Sequence, residues 1–117
     1  MKYTYSIKDE KLFQKLINKG NWYGGNYISL YVLSNNKDTN QIAYGVGKKV
    51  GKAFKRNYVK RLLRESYSSL ENTAKTGYSL FFVCKNKANF DNISYVEIYN
   101  DVYNTLKKAG IVDWKKS

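Results

Sequence analysis

From Tyr78 to Cys84 the chain is almost continuously apolar over the length of one strand, which implies a strand covered on both faces. A chain of 117 residues can supply that cover only from its own helices, within a single domain spanning 1–117. The segments around the run fit this requirement. Leu12, Phe13, Leu16 and Ile17 recur at helical spacing before Gly20, and Ser6-Ile7-Lys8-Asp9 reads as a capping box opening that helix. After a glycine-containing turn, Asn21 to Gly25, the residues Ile28, Leu30 and Val32 alternate with Tyr27, Ser29, Tyr31 and Leu33. One face of this strand is aliphatic and the other largely tyrosine. The polar segment Ser34 to Asn40 reads as a hairpin connection to a second strand, in which Ile42, Tyr44 and Val46 alternate with Gln41, Ala43, Gly45 and Gly47. That nearly bare second face would let a ligand approach the backbone closely. Ser94 and Glu97 suggest another capping box, starting a last helix with Val96, Tyr99, Val102, Tyr103 and Leu106 inward and Gly110 as its stop. Residues 112–117 read as a flexible tail. Helix, strands, helix, strand and helix together describe an α/β sandwich, with helices packed on a mixed sheet.

The remaining segment carries the charge. Between Lys48 and Arg64 stand Lys48, Lys49, Lys52, Lys55, Arg56, Lys60, Arg61 and Arg64 and no acid, so 17 residues hold +8 of the net +12. All three arginines fall here, although the other 18 cations of the chain are lysines. A planar guanidinium can bind phosphate through two parallel hydrogen bonds and stack on a base, which an ammonium cannot. As a helix from Lys52 to Leu70, the segment gathers Val59, Leu62, Leu63, Ser66 and Leu70 on one side. Lys52, Arg56, Lys60 and Arg64 form an i, i+4 ridge on another side, flanked by Asn57 and Arg61. Like charges at that spacing destabilise a helix, and cations in the first turn oppose its dipole by about 0.3–1 kcal/mol each. A polyanion would reverse both effects and would meet the helix N-terminal amides behind Gly51. A membrane-surface role fits less well, since the apolar stripe is aliphatic and just wide enough for the sheet, without exposed Trp or Phe.

Several function classes are disfavoured. With no histidine and nine scattered acids, the chain lacks the usual groups for self-contained acid-base catalysis. One cysteine, Cys84, gives neither an internal disulfide nor a CxxC metal pair, and its apolar surroundings suit a buried structural thiol. The start Met1-Lys2-Tyr3-Thr4 lacks a signal-peptide apolar run, and no stretch approaches a membrane span, so a cytoplasmic protein is expected.

The stretch Gly47-Lys48-Lys49-Val50-Gly51-Lys52-Ala53-Phe54-Lys55-Arg56-Asn57-Tyr58-Val59-Lys60-Arg61-Leu62-Leu63-Arg64-Glu65 resembles the signature of the bacterial ribonuclease P protein component. The likeness extends to Asp9–Lys19 as the family's first helix, Tyr27–Leu33 as its long strand and Gly77–Lys87 as its last strand. It implies an α-β-β-β-α-β-α order and a left-handed crossover through the basic helix, similar to a domain of ribosomal protein S5 and of an elongation factor. Handedness rules alone would give the opposite. The resemblance further implies a non-catalytic subunit of an endoribonuclease whose RNA carries the active site and most of the Mg2+. The protein's part would be to assist removal of the 5′ leader of precursor transfer RNA. Contacts to the catalytic RNA would then come from Lys48, Lys49, Lys52, Arg56, Asn57, Lys60, Arg61 and Arg64. The leader would follow a cleft along Phe13, Ile17, Tyr31 and Lys85. Tyr58 stands where the family has a second arginine, Ile17 where an aromatic is common, and Asn86-Lys87 in place of Lys-Pro. The competing readings are a ribosomal-type structural RNA-binding protein and a stand-alone nuclease.

Overall fold

The computed structural model describes residues 4–112. Along the chain come β1 (Thr4–Ser6), α1 (Glu10–Lys19), β2 (Asn21–Gly24), β3 (Ile28–Ser34), β4 (Asn40–Gly45), α2 (Ala53–Leu70), β5 (Tyr78–Cys84) and α3 (Tyr95–Lys108). Short 3-10 turns at Lys48–Val50 and Glu71–Thr73 precede and follow α2. The strands form one mixed sheet in the order β1-β4-β5-β3-β2, parallel at β1–β4 and β4–β5 and antiparallel at β5–β3 and β3–β2. This is the expected sandwich with one extra strand before α1.

Placement of β5 at the centre follows from its composition. Leu80, Phe82 and Cys84 are buried toward α2 and α3, while Phe81 and Val83 serve the opposite face. An edge position would leave one row of its backbone groups unpaired. Consequently Ser34 to Asn40 is not a hairpin connection: β3 and β4 both pair with β5, and the loop crosses its end, with the Asn35 amide donating to Gly77 O at 2.9 Å. Inside the loop Asn35 Oδ1 accepts from the Lys37 amide at 2.8 Å, a local turn that a polar segment can make without pairing its flanks.

Asn21–Gly24, read above as a turn, is instead an edge strand paired with Ser29–Val32. The capping box at Ser6 is also corrected. Ser6 ends β1 and pairs with Ile42, so the cap falls to Asp9, whose carboxylate accepts from the Lys11 amide at 2.9 Å. The Ser94–Glu97 box forms as expected, with Glu97 Oε1 accepting from the Ser94 amide at 3.0 Å.

One layer of the core lies between the sheet and the α2–α3 pair, where Ile28, Leu30, Val32, Ile42, Leu80 and Phe82 meet Val59, Leu63, Tyr67, Ile98, Val102 and Leu106. Burying each such side chain contributes about 1.5–3 kcal/mol. Val96, expected inward, is 62% exposed; Ile98, Asp101 and Thr105 take the inward positions. Asp101 explains the phase of α3. Its carboxylate, 3% exposed, accepts from the amides of Asn26 (3.0 Å), Tyr27 (2.6 Å) and Ile28 (3.0 Å), and so must point at the β2–β3 loop. Val112 is buried with Ile111, while the rest of the expected flexible tail, 113–117, lies outside the described residues. Opposite α2 and α3, α1 crosses part of the other face through fully buried Leu16.

Candidate nucleic-acid interface

Two surfaces on opposite sides of the sheet suit a polyanion. The first is α2. Its buried side is Val59, Leu62, Leu63, Ser66, Tyr67 and Leu70, the expected stripe widened by Tyr67, whose hydroxyl meets Thr4 at 2.9 Å and Asn40 at 3.2 Å. The helix has no acid in its first turn and no side-chain cap, so its first amides are open to an external acceptor. Gly51 enters it at φ 151°, where an added Cβ would lie 3.0 Å from Lys55 Cβ, so this bend needs glycine.

Lys48, Lys49 and Lys52 are exposed at the helix entrance, and Asn57, Arg61 and Arg64 are exposed along it. Arg56 is half-buried because its guanidinium turns back to Gly51 O at 3.1 Å, and Lys60 is half-buried beside it. The ridge that begins at Lys52 ends at exposed Arg64. Its last member acts on Tyr44 of β4: burial and the nearby Tyr67 push the Tyr44 hydroxyl above the usual tyrosine range, and the Arg64 charge opposes them. Arg61 reaches its own neighbour Glu65 only at 3.9 Å, which leaves it open to a better anion.

The outward face of α2 corrects one expectation. Phe54 is 75% exposed and Tyr58 36% exposed, one turn apart, so the helix does present aromatic surface. Phe54 lies about 140° around the helix from Val59 at 100° per residue, which keeps it off the docking stripe.

The second surface is the part of the sheet that α1 leaves open. Register places Trp22, Tyr31, Phe81 and Ala43 side by side across β2, β3, β5 and β4. Phe81 is the hub of this row, edge-on to Phe13 of α1 at 5.2 Å between ring centroids and tilted against Tyr31 at 6.3 Å. The adjacent row is Gly24, Ser29, Val83 and Gly45; the Trp22 indole takes the space a side chain at Gly24 would fill, the Phe81 ring lies against Gly45, and Ser29 is buried, so what approaches the nearly bare face of β4 is the chain's own ring. Of the four expected leader residues, Phe13 and Tyr31 meet around Phe81. Ile17 lies one turn beyond Phe13 at 46% exposure, and Lys85 follows β5 with its amide donating to Tyr27 O at 2.9 Å. Tyr27 does not share the open face: its hydroxyl donates to Glu97 of α3 at 3.0 Å, and its ring packs near Phe90.

Phe81 and Trp22 were missed by sequence reading. The period-2 signal of Phe81 is masked because both faces of β5 are apolar, and Trp22 fell in a segment read as a turn. Among the described residues no cluster of three or more carboxylate or thiol groups could hold a metal ion, and no helix is long and apolar enough to cross a membrane.

Comparison with known proteins agrees with this architecture. A family model described as Ribonuclease P matches residues 1–110. Ribonuclease P protein components of Clostridium kluyveri and Clostridium botulinum are 39% and 40% identical over 110 and 106 residues. Those matches cover 92% and 90% of this chain, and 96% and 94% of the relatives. Among solved structures, the RNase P protein of Staphylococcus aureus has a TM-score of 0.82 at 24% identity, covering 93% of this chain and 98% of that one. The RNase P protein of Thermotoga maritima has a TM-score of 0.80 at 21% identity, covering 88% and 96%. Both share the fold.

Proposed function

This chain belongs to the ribonuclease P protein family, and we propose that it uses its two surfaces on two different RNAs. The basic face of α2, with Lys48 and Lys49 at its entrance, holds the catalytic RNA subunit. The open sheet face holds the single-stranded 5′ leader of precursor transfer RNA. The observation that carries the division is the aromatic row of Trp22, Tyr31 and Phe81, on the side of the sheet away from α2. Aromatic faces suit unpaired nucleotides, since stacking contributes about 1–3 kcal/mol per base with little sequence preference. The glycines in the next row let the Trp22 and Phe81 rings lie close to the sheet, where they form part of the stacking platform. A duplex, whose bases are already stacked, needs no such platform.

The roles then follow from charge and position. Lys52, Arg56, Lys60, Arg61 and Arg64 neutralise phosphates of the catalytic RNA, and Asn57 supplies a donor and an acceptor among them. Phe13, Tyr31 and Phe81 stack leader bases, Ile17 borders the path, and Lys85 meets the leader phosphates. Magnesium belongs mainly to the RNA partner in this reading, as the family resemblance implies. By holding both RNAs, the protein raises the local concentration of substrate at an active site it does not itself form.

The test is cleavage of precursor transfer RNA at low magnesium by the catalytic RNA, with and without this protein. Stimulation is expected, larger for substrates with leaders than shown by binding of mature transfer RNA. No stimulation removes the reading in favour of a structural RNA-binding protein, and cleavage by the protein alone would restore the nuclease.

A further inference from the structure

Resting on the reading that α2 faces the catalytic RNA, we propose that Phe54 and Tyr58 form a stacking site for an unpaired nucleobase of that RNA. Phe54 is the most exposed large apolar residue described, at 75%, and Tyr58 stands one helical turn further along the same outward face. These two rings and Asn57, Lys60, Arg61 and Arg64 line a single shallow groove. Cations flank the tyrosine ring: Lys55 Nζ lies 5.9 Å and the Arg61 guanidinium 5.5 Å from its centroid. An aromatic face ringed by cations matches a base with a phosphate on either side, and Asn57 can pair with the base edge.

A lipid surface fits this groove poorly. The apolar stripe of α2 is already buried in the core through Val59, Leu62, Leu63 and Leu70, so only two rings remain to insert. Inserting them would also bury the Asn57 amide, exposed in the free protein, without partners. In RNA both the rings and the amide find partners. Tyr58 and Phe54 thus set a stacking contact among the phosphate-binding cations of the same groove.

Binding of the protein to the catalytic RNA transcript, measured across a salt series, separates the contributions. Phe54→Ala should weaken binding about 5- to 100-fold with an unchanged salt slope, because stacking releases no counterion. Phe54→Trp should retain affinity and show quenching of the added fluorescence when RNA binds. Arg61→Ala, by contrast, should reduce the slope by roughly 0.7–0.9. Circular dichroism of Phe54→Ala should match the parent, since the residue is outside the core. Unchanged RNA affinity in Phe54→Ala, with the parent binding normally, overturns the stacking site and leaves the assignment of α2 intact. Failure of the parent to bind the catalytic RNA overturns both. Loss confined to binding of phosphatidylglycerol vesicles would overturn it in favour of a membrane contact.

Discussion

Removing the Asp101 carboxylate should destabilise this protein more than any other single surface-to-core polar change, and the size of the effect can be worked out. Asp101 accepts three backbone hydrogen bonds from the β2–β3 loop while only 3% exposed. In Asp101→Ala the Ile28 amide, fully buried, and the half-buried Tyr27 amide lose their acceptor; the exposed Asn26 amide can turn to water. An unmet buried donor costs about 1–3 kcal/mol, and release of the buried charge returns part of that. A net loss of about 3 kcal/mol follows, against a total of roughly 6–17 kcal/mol for a domain of this size. At about 3–6 °C per kcal/mol, the melting temperature should fall by roughly 10–15 °C. Asp101→Asn keeps one oxygen for Tyr27 and Ile28 but sets its amide against the Asn26 donor, and should lose about half as much. Gly25→Ala should reproduce the effect from the other side, since a methyl there would lie 2.7 Å from Asp101 Oδ2, which the Tyr27 and Ile28 amides hold in place. Thermal melts followed by far-UV circular dichroism decide the matter. If Asp101→Ala and Asp101→Asn both melt within 2 °C of the parent, the clamp does not hold the hairpin and the reasoning is wrong.

With about six cations of α2 and its entrance neutralising phosphates, log affinity for the catalytic RNA should fall against log salt with a slope of roughly −4 to −5; a flat response means an idle patch. Tyr31→Ala, and Gly45→Val, which places a side chain against the Phe81 ring, should weaken precursors with leaders far more than mature transfer RNA in a binding assay. Equal weakening of both would take the open sheet face off the leader path. Burial pushes the Cys84 thiol from 9.0 up to about 12, so a chromogenic disulfide reagent at pH 8 should leave it untouched until urea unfolds the chain. Because the folded state holds that proton more tightly, stability is full below pH 9 and falls as pH rises from 9 toward 12. A Cys84→Val variant should show a shallower loss over that range in urea titrations. Glu97 is held below the usual carboxylate range by the Tyr27 hydroxyl and then by Ser94, so acid should loosen the α3 N-terminus. Stability from this group is full above its ordinary pKa and is lost as pH falls through the lowered value, which amide exchange at residues 95–98 would register.

Much of this was legible because the patterns are local. The aliphatic stripe of α2, its confined arginines, the Ser94–Glu97 box and the bare face of β4 are read directly from spacing. What escaped depends on partners distant in sequence. Thr4–Ser6 is too short to signal a strand and becomes one only beside Asn40–Ile42. The phase of α3 was misjudged at Val96 because Asp101, an acid that composition assigns to solvent, is fixed inward by amides about 75 residues earlier. Trp22 and Phe81 entered the candidate site only once register placed them beside Tyr31. Phe54 shows the converse: its apolar character says core, while the helix geometry says otherwise.

The central position of β5 also governs when this sheet can exist. β3 and β4 follow one another in the chain yet never pair, and each takes its long partner from Tyr78–Cys84. During synthesis, the first 77 residues can therefore build the β2–β3 hairpin, α1 and α2 but not the full sheet. The charged α2 is complete before the surface it docks on has been assembled. Closing the fold waits on contacts between strands some 40 to 55 residues apart, a non-local step of the kind that makes folding slow. A chain ending before Tyr78 should remain open, and a chain ending after Cys84 is the shortest in which all five strands can pair.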